Sequence, residues 1–253
     1  MNQDYPSPQE SPLPPASPGV QSLMRPVYRS YVTYGLIGIC VVIYLLQVTN
    51  FIDITGALIK DNSLIMQGQV WRLFTPMFLH GSILHLGFNM YALFSIGPTL
   101  ERFYGRWRYL VLFILSGFAG NVMSFMFTQN PSLGSSTAIF GLLGTEGVLI
   151  YQNREVFGNI ASRALSQVVI IAVINLIIGA APNSGIDNWG HIGGLIGGTI
   201  FAWFGGPLLQ RQGLYPPYTL TDVRSKREVI LTGTAVGGLF FFLTIAVMFM
   251  RRG

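Results

Sequence analysis

Residues 30–52 form an unbroken run without Asp, Glu, Lys or Arg, and three further runs of that kind follow at 164–186, 188–210 and 229–250. Each is long enough for a helix rising 1.5 Å per residue to cross a hydrocarbon core, which takes roughly 20 residues. Residues 73–100 contain histidines but no Lys, Arg or carboxylate. Residues 109–145 are long enough for a helix, a turn at Asn130-Pro131-Ser132 and the start of another helix. The pattern predicts seven helices, near 31–50, 83–100, 108–128, 136–153, 164–181, 189–206 and 229–250, and hence an all-α polytopic membrane protein. Only 10% of the residues are charged, whereas a soluble domain usually carries about 25%; the chain has too few charges to cover a water-facing surface.

Residues 1–29 differ in kind, being rich in Pro, Ser and Gln with no apolar core, and are expected to be a disordered tail. No short apolar segment with a cleavage site precedes the first span, so that helix is expected to be retained. The single Cys40 falls inside it, permits no internal disulfide and reads as packing. With the tail in the cytoplasm, the inner segments hold eleven Lys and Arg residues and the outer segments four (Lys60, Arg72, Arg251 and Arg252). This is the positive-inside bias, with Arg251 and Arg252 against it. Topology thus accounts for the net charge of +5, and no nucleic-acid partner is needed. The expected place is the plasma (cytoplasmic) membrane, N-terminus inside.

Polar groups at membrane depth are functional candidates. The three histidines are His80, His85 and His191. His85 and Asn89, four apart, share one helix face and can aim donors at a common point, or serve as polar glue between helices. Ser136, in Gly134-Ser135-Ser136-Thr137, stands where a loop becomes a helix. Amides there lack intrahelical partners and can stabilise an oxyanion beside a hydroxyl nucleophile, although an N-cap serine would look the same. Parity links these residues, because helices two, four and six run in one direction. His85, Asn89, Ser136 and His191 all lie near the N-terminal ends of those helices, at one face. Small residues at four-residue spacing (Thr137, Gly141, Thr145 and Gly190, Gly194, Gly198) let helices four and six approach closely. A serine hydroxyl needs a base to take its proton, and a neutral imidazole suits that task.

These residues resemble the motifs of the rhomboid family over most of 65–205: Trp71-Arg72, His85 with Asn89, Gly134-Ser135-Ser136, and His191 with Gly194 and Gly198. The resemblance implies an intramembrane serine endopeptidase that hydrolyses peptide bonds in or beside transmembrane segments of single-span or other membrane proteins. Ser136 would be the nucleophile and His191 the base, with His85, Asn89 and the Ser136 N–H forming the oxyanion hole. Trp71 and Arg72 would support a membrane-embedded first loop, and Phe140 would pack on the base imidazole. The implied architecture is a six-helix catalytic core at 30–206, a basic cytoplasmic connection at 207–228 and an added helix at 229–253. No cofactor or metal is implied, and no cluster of Cys, His and carboxylates argues for one. The resemblance also implies a small residue before the scissile bond. Helix-weakening residues near the cut should favour cleavage, since a helix must unwind to expose a carbonyl.

Two positions depart from the family pattern. Thr137 stands where the family has Gly after the nucleophile, and Gly190 where it has Ala before the histidine. Thr137 keeps a second reading open, an inactive rhomboid-like protein that binds or escorts membrane clients. A small transporter is a third reading, without the paired broken helices expected of one. Glu146, about 15 Å deeper than Ser136 at 1.5 Å per residue, reads as a hydrogen-bonded structural carboxyl. The natural substrate and the oligomeric state are left open by the sequence.

Overall fold

A computed structural model describes residues 28–49, 52–213 and 219–252. The tail expected at 1–29 lies almost wholly outside the described residues. Among those residues are seven helices of 17 to 25 residues: α1 (Tyr31–Thr49), α4 (Ile83–Tyr104), α5 (Arg106–Phe127), α6 (Ser136–Gln152), α8 (Ala161–Gly179), α9 (Asn188–Gly205) and α10 (Lys226–Met250). The short helices α2 (Ile54–Leu58) and α3 (Asn62–Met66) and two 3-10 turns make up the first loop, and α7 (Arg154–Phe157) precedes α8.

Among the described residues, five helical stretches are long and apolar enough to cross a membrane: Tyr31–Thr49, Ile83–Tyr104, Arg106–Phe127, Arg154–Gly179 and Lys226–Met250. α6 and α9 are not among them, α6 with 17 residues and α9 with glycines and His191 in place of larger apolar side chains. They are the interior pair, packed on each other and on α5, and need not present a continuous apolar face to lipid. A Cβ on Gly194 would overlap the Thr137 carbonyl oxygen, and one on Gly198 would overlap the Gly141 backbone. The Thr145 hydroxyl donates to the Gly198 carbonyl across the same seam, at 3.2 Å.

α4 runs four residues past the expected end near 100, with Pro98 inside it. This extension buries Glu101 completely, and its carboxylate accepts from the Val32 and Thr33 amides and the Thr33 hydroxyl at 2.8–3.1 Å. The first turn of α1 is thereby capped from another helix. Glu101 is thus a fully buried, hydrogen-bonded carboxylate; Glu146, half-buried on α6, has no hydrogen-bond partner among the described residues.

The connection at 207–228 contains a short antiparallel pair of strands, β1 (Leu209–Gln212) with β2 (Thr219–Asp222), beside an otherwise helical fold. Arg251 and Arg252, which run against the charge bias, donate to the carbonyls of Met126 and Met66 at 3.2 and 3.0 Å. Those carbonyls belong to the last turns of α5 and α3, where a cation is favoured.

Candidate active site

The starts of α4, α6 and α9 determine where the polar residues stand. Ser82 caps α4, its hydroxyl accepting from the His85 amide at 3.1 Å. Asp187 caps α9, its carboxylate accepting from the Gly190 amide at 3.0 Å. α6 begins at Ser136 with no side-chain cap, so its first amides are left for another acceptor.

Ser136 Oγ and His191 Nε2 lie 2.9 Å apart. The His191 ring stacks on Phe140, one turn beyond Ser136, with centroids 4.1 Å apart and planes 12° from parallel. That contact fixes the plane of the imidazole. His191 Nδ1 is buried and has no partner among the described residues, so the pair stands without a third carboxylate. His85 sits against the loop before Ser136: a Cβ on Gly134 would be 2.7 Å from the His85 Nε2 and 3.6 Å from Ser136 Oγ. Gly134 has φ +129, so the loop needs glycine here for backbone and for space alike. Asn89 lies one turn further along α4, 7% exposed, and its buried Nδ2 has no partner among the described residues. The structure therefore joins Ser136 to His191, sets His85 beside them and leaves Asn89 with an unused donor on the same helix face.

Thr137 is buried, and its side chain is directed at Gly120 on α5 and Gly190 on α9. Cβ atoms built on Gly120 and Gly190 would stand 2.6 Å from the Thr137 Cβ and 3.0 Å from its Cγ2 respectively. The methyl group occupies a niche that the two glycines leave open. The departures at 137 and 190 are thus two sides of one contact.

Three polar contacts around the site have no counterpart in the sequence reading. His80 Nε2 and Ser135 Oγ form a second serine–histidine pair, 3.2 Å apart, but His80 is 1% and Ser135 0% exposed, whereas Ser136 is partly open. Asp187 accepts from the hydroxyls of Ser124 and Thr128 as well as capping α9, which ties the end of α5 to the helix bearing His191. Lys60, fully buried in the first loop, donates to the carbonyls of Thr128 and Asn130 at 2.9 and 3.0 Å, and its backbone pairs with Ser132. Burial lowers the Lys60 pKa to about 8, with Asp187 acting in the opposite sense. The loop that delivers Ser136 is thereby held from both sides. None of these partners is a near neighbour in sequence, so no local motif could have identified them.

Arg72 supports the first loop as expected. It is 3% exposed and donates to the Ile59 and Gly56 carbonyls at 2.7 and 2.8 Å. Trp71 is half exposed beside it, its indole N–H directed at the Ala57 carbonyl. Among the described residues no group of three or more His, Cys, Asp or Glu is arranged to hold a metal ion.

A family model described as Rhomboid domain matches residues 67–208. The Rhomboid protease GluP of Bacillus subtilis (strain 168) is 42% identical over 184 residues, which cover 73% of this chain and 34% of that protein. RHOMBOID-like protein 9, chloroplastic, of Arabidopsis thaliana is 37% identical over 152 residues, covering 60% of this chain and 35% of that one. RHOMBOID-like protein 2 of the same plant is 33% identical over 204 residues, covering 78% and 62%. The chain thus spans about a third of the first two relatives and somewhat under two thirds of the last. With the matched domain taking in more than half of its residues, and all of the Ser136, His191, His85 and Asn89 cluster, this multi-pass membrane protein belongs to the rhomboid family.

Proposed function

We propose that the chain is an intramembrane serine endopeptidase that cuts peptide bonds in or next to the transmembrane segments of other membrane proteins. The observation that carries this reading is the 2.9 Å contact between Ser136 Oγ and His191 Nε2 at the uncapped start of α6. With the His191 proton on Nδ1, Nε2 accepts the hydroxyl proton as Oγ attacks the scissile carbonyl carbon. The C=O electron pair moves onto oxygen. Asn89 Nδ2, His85 and the Ser136 amide are the donors positioned to receive that charge, an interaction usually worth 10²–10³ in rate per donor. His191 then returns the proton to the departing amine, leaving an acyl-enzyme on Ser136 that water hydrolyses by the same route.

In this reading 30–206 is the catalytic core, 207–228 the cytoplasmic connection and 229–253 an added helix, with the N-terminus in the cytoplasm and the plasma membrane as site. Substrates carry a small residue before the cut and helix-weakening residues near it. The client-binding alternative rests on Thr137, and the niche that Gly120 and Gly190 leave for its methyl group favours the enzyme reading.

Membranes containing the full chain, treated with a fluorophosphonate probe, test the reading. Parent and Ser135→Ala protein should label, and Ser136→Ala should not. Ser136→Ala and His191→Ala should each abolish cleavage of a model single-span substrate while still inserting. An unlabelled parent, or labelling lost in Ser135→Ala and kept in Ser136→Ala, would reject the assignment.

A further inference from the structure

At the end of the bundle where the basic residues gather, α5 and α10 start side by side and enclose a groove of about 590 Å³. The two helices run parallel, since their far ends also meet, at Met126 and Arg251. Val111, Val229, Ile230 and Gly233 give the groove an apolar floor, and Arg106, Arg108 and Lys226 surround its mouth. Among the described residues, no carboxylate lines it.

The cations are not equivalent. Arg108 is paired with Asp222 at 2.8 Å, and Arg224, outside the groove, faces Glu228 at 3.5 Å. Arg106 and Lys226 form no salt bridge among the described residues, and both are exposed. The Arg106 guanidinium lies over the Tyr31 ring, 4.7 Å from its centroid, and 6.0 Å from that of Tyr28, contacts that hold it in place without a carboxylate partner among the described residues. α5 starts at Gly105 without a side-chain cap, so the positive end of its dipole adds to the same spot. Trp107 is 80% exposed beside it, an aromatic residue at the level expected of the membrane–water boundary.

The floor lies deeper in the span. Val111 is five residues beyond Arg106 and Gly233 seven beyond Lys226, about 8 and 10 Å along their helices. A ligand matching this outline has an anionic head at the boundary and a hydrocarbon chain directed inward. A soluble anion would have no use for the floor, and a zwitterionic head would bring its own cation beside the phosphate, against Arg106 and Lys226.

We propose that this groove is a binding site for an anionic glycerophospholipid, with its phosphate between Arg106 and Lys226 and one acyl chain along Val111, Val229 and Gly233. The site depends on the membrane fold and is independent of the proteolytic reading.

The test uses the full chain, purified in neutral detergent, partly delipidated and given equal amounts of dioleoyl phosphatidylglycerol and dioleoyl phosphatidylcholine before native mass spectrometry. The parent should retain one phosphatidylglycerol per chain in preference to phosphatidylcholine. Arg106→Gln with Lys226→Gln should lower that retention by about tenfold or more, from the share each basic residue contributes near a charged surface. Gly233→Leu adds bulk at the floor, where a Cβ meets its nearest neighbour at 3.6 Å, an ordinary contact, and thermal unfolding of the variant checks that the fold is kept. It should also lower retention while leaving all the charges in place. Equal retention of both lipids by the parent overturns the proposal without recourse to any variant. So does phosphatidylglycerol retention unchanged by the charge-removing pair or by Gly233→Leu.

Discussion

A Cβ on residue 190 would stand 3.0 Å from the Thr137 methyl group, so these two positions cannot be varied independently. Alanine at 190 would push the methyl toward the start of α6, where the Ser136 amide and hydroxyl must keep their directions. Overpacking of that kind usually costs about 1–3 kcal/mol. Gly190→Ala is therefore expected to slow probe labelling of Ser136 and lower thermal stability. Thr137→Gly alone should stay within about one order of magnitude of the parent, because it leaves the dyad and the donors of the oxyanion site in place. Combined, Thr137→Gly should relieve the Gly190→Ala defect, with a coupling of about 0.5–3 kcal/mol as contacting residues show. Additive effects in that double-mutant cycle would mean that the niche is not what accommodates Thr137. Both departures from the family pattern are visible in the sequence, but the fact that they touch is not, because 53 positions separate them.

Among the elements, α9 shows where sequence reading runs out. Its glycine spacing and His191 are legible from the chain, and the parity of the helices correctly places its start beside the start of α6. The residue that fixes that start, Asp187, lies just outside the expected helix, and two of its partners, Ser124 and Thr128, are contributed by the end of α5. The Lys60 clasp escapes for the same reason, because its two carbonyl acceptors are 68 and 70 residues away. Periodicity reports which face of a helix is apolar, whereas contacts of this kind depend on how helix ends are brought together. Asp187→Ala removes an N-cap and two hydroxyl partners at once, and should cost at least the ~0.5–2 kcal/mol typical of a lost cap. Probe labelling should slow as well, since α9 carries the base. Asp187→Asn keeps an acceptor for the Gly190 amide and should remain near the parent in both respects. Thermal unfolding and labelling rates measured side by side decide the matter, and an Asp187→Ala variant equal to the parent in both would rule out this role.

At the scale of the whole molecule, the two helices that carry Ser136 and His191 are, of the seven long helices described, the two that are not long and apolar enough by themselves to count as spans. Their membrane position follows from being surrounded, and the glycine seam between them sets how near the serine and the imidazole come. The seam was readable as two small-residue stripes, but the stripes could not say which backbone atoms meet. Gly198 approaches the Gly141 backbone so closely that a Cβ there would overlap it, while Gly38 on α1 has nothing within 4 Å. Both are glycines in helices of the bundle, so they separate the effect of the seam from that of added bulk. Gly198→Leu must move α9 away from α6, since backbone cannot yield as a side-chain end can. A misplacement near 1 Å is enough to cost about 10²-fold in a reaction that depends on alignment. Gly198→Leu is thus expected to insert and to keep every residue of the dyad and of the oxyanion site, yet to lose labelling of Ser136 by about that factor. Gly38→Leu, facing open space, should label like the parent. Equal labelling of the two variants would show that something other than the glycine seam holds Ser136 against His191.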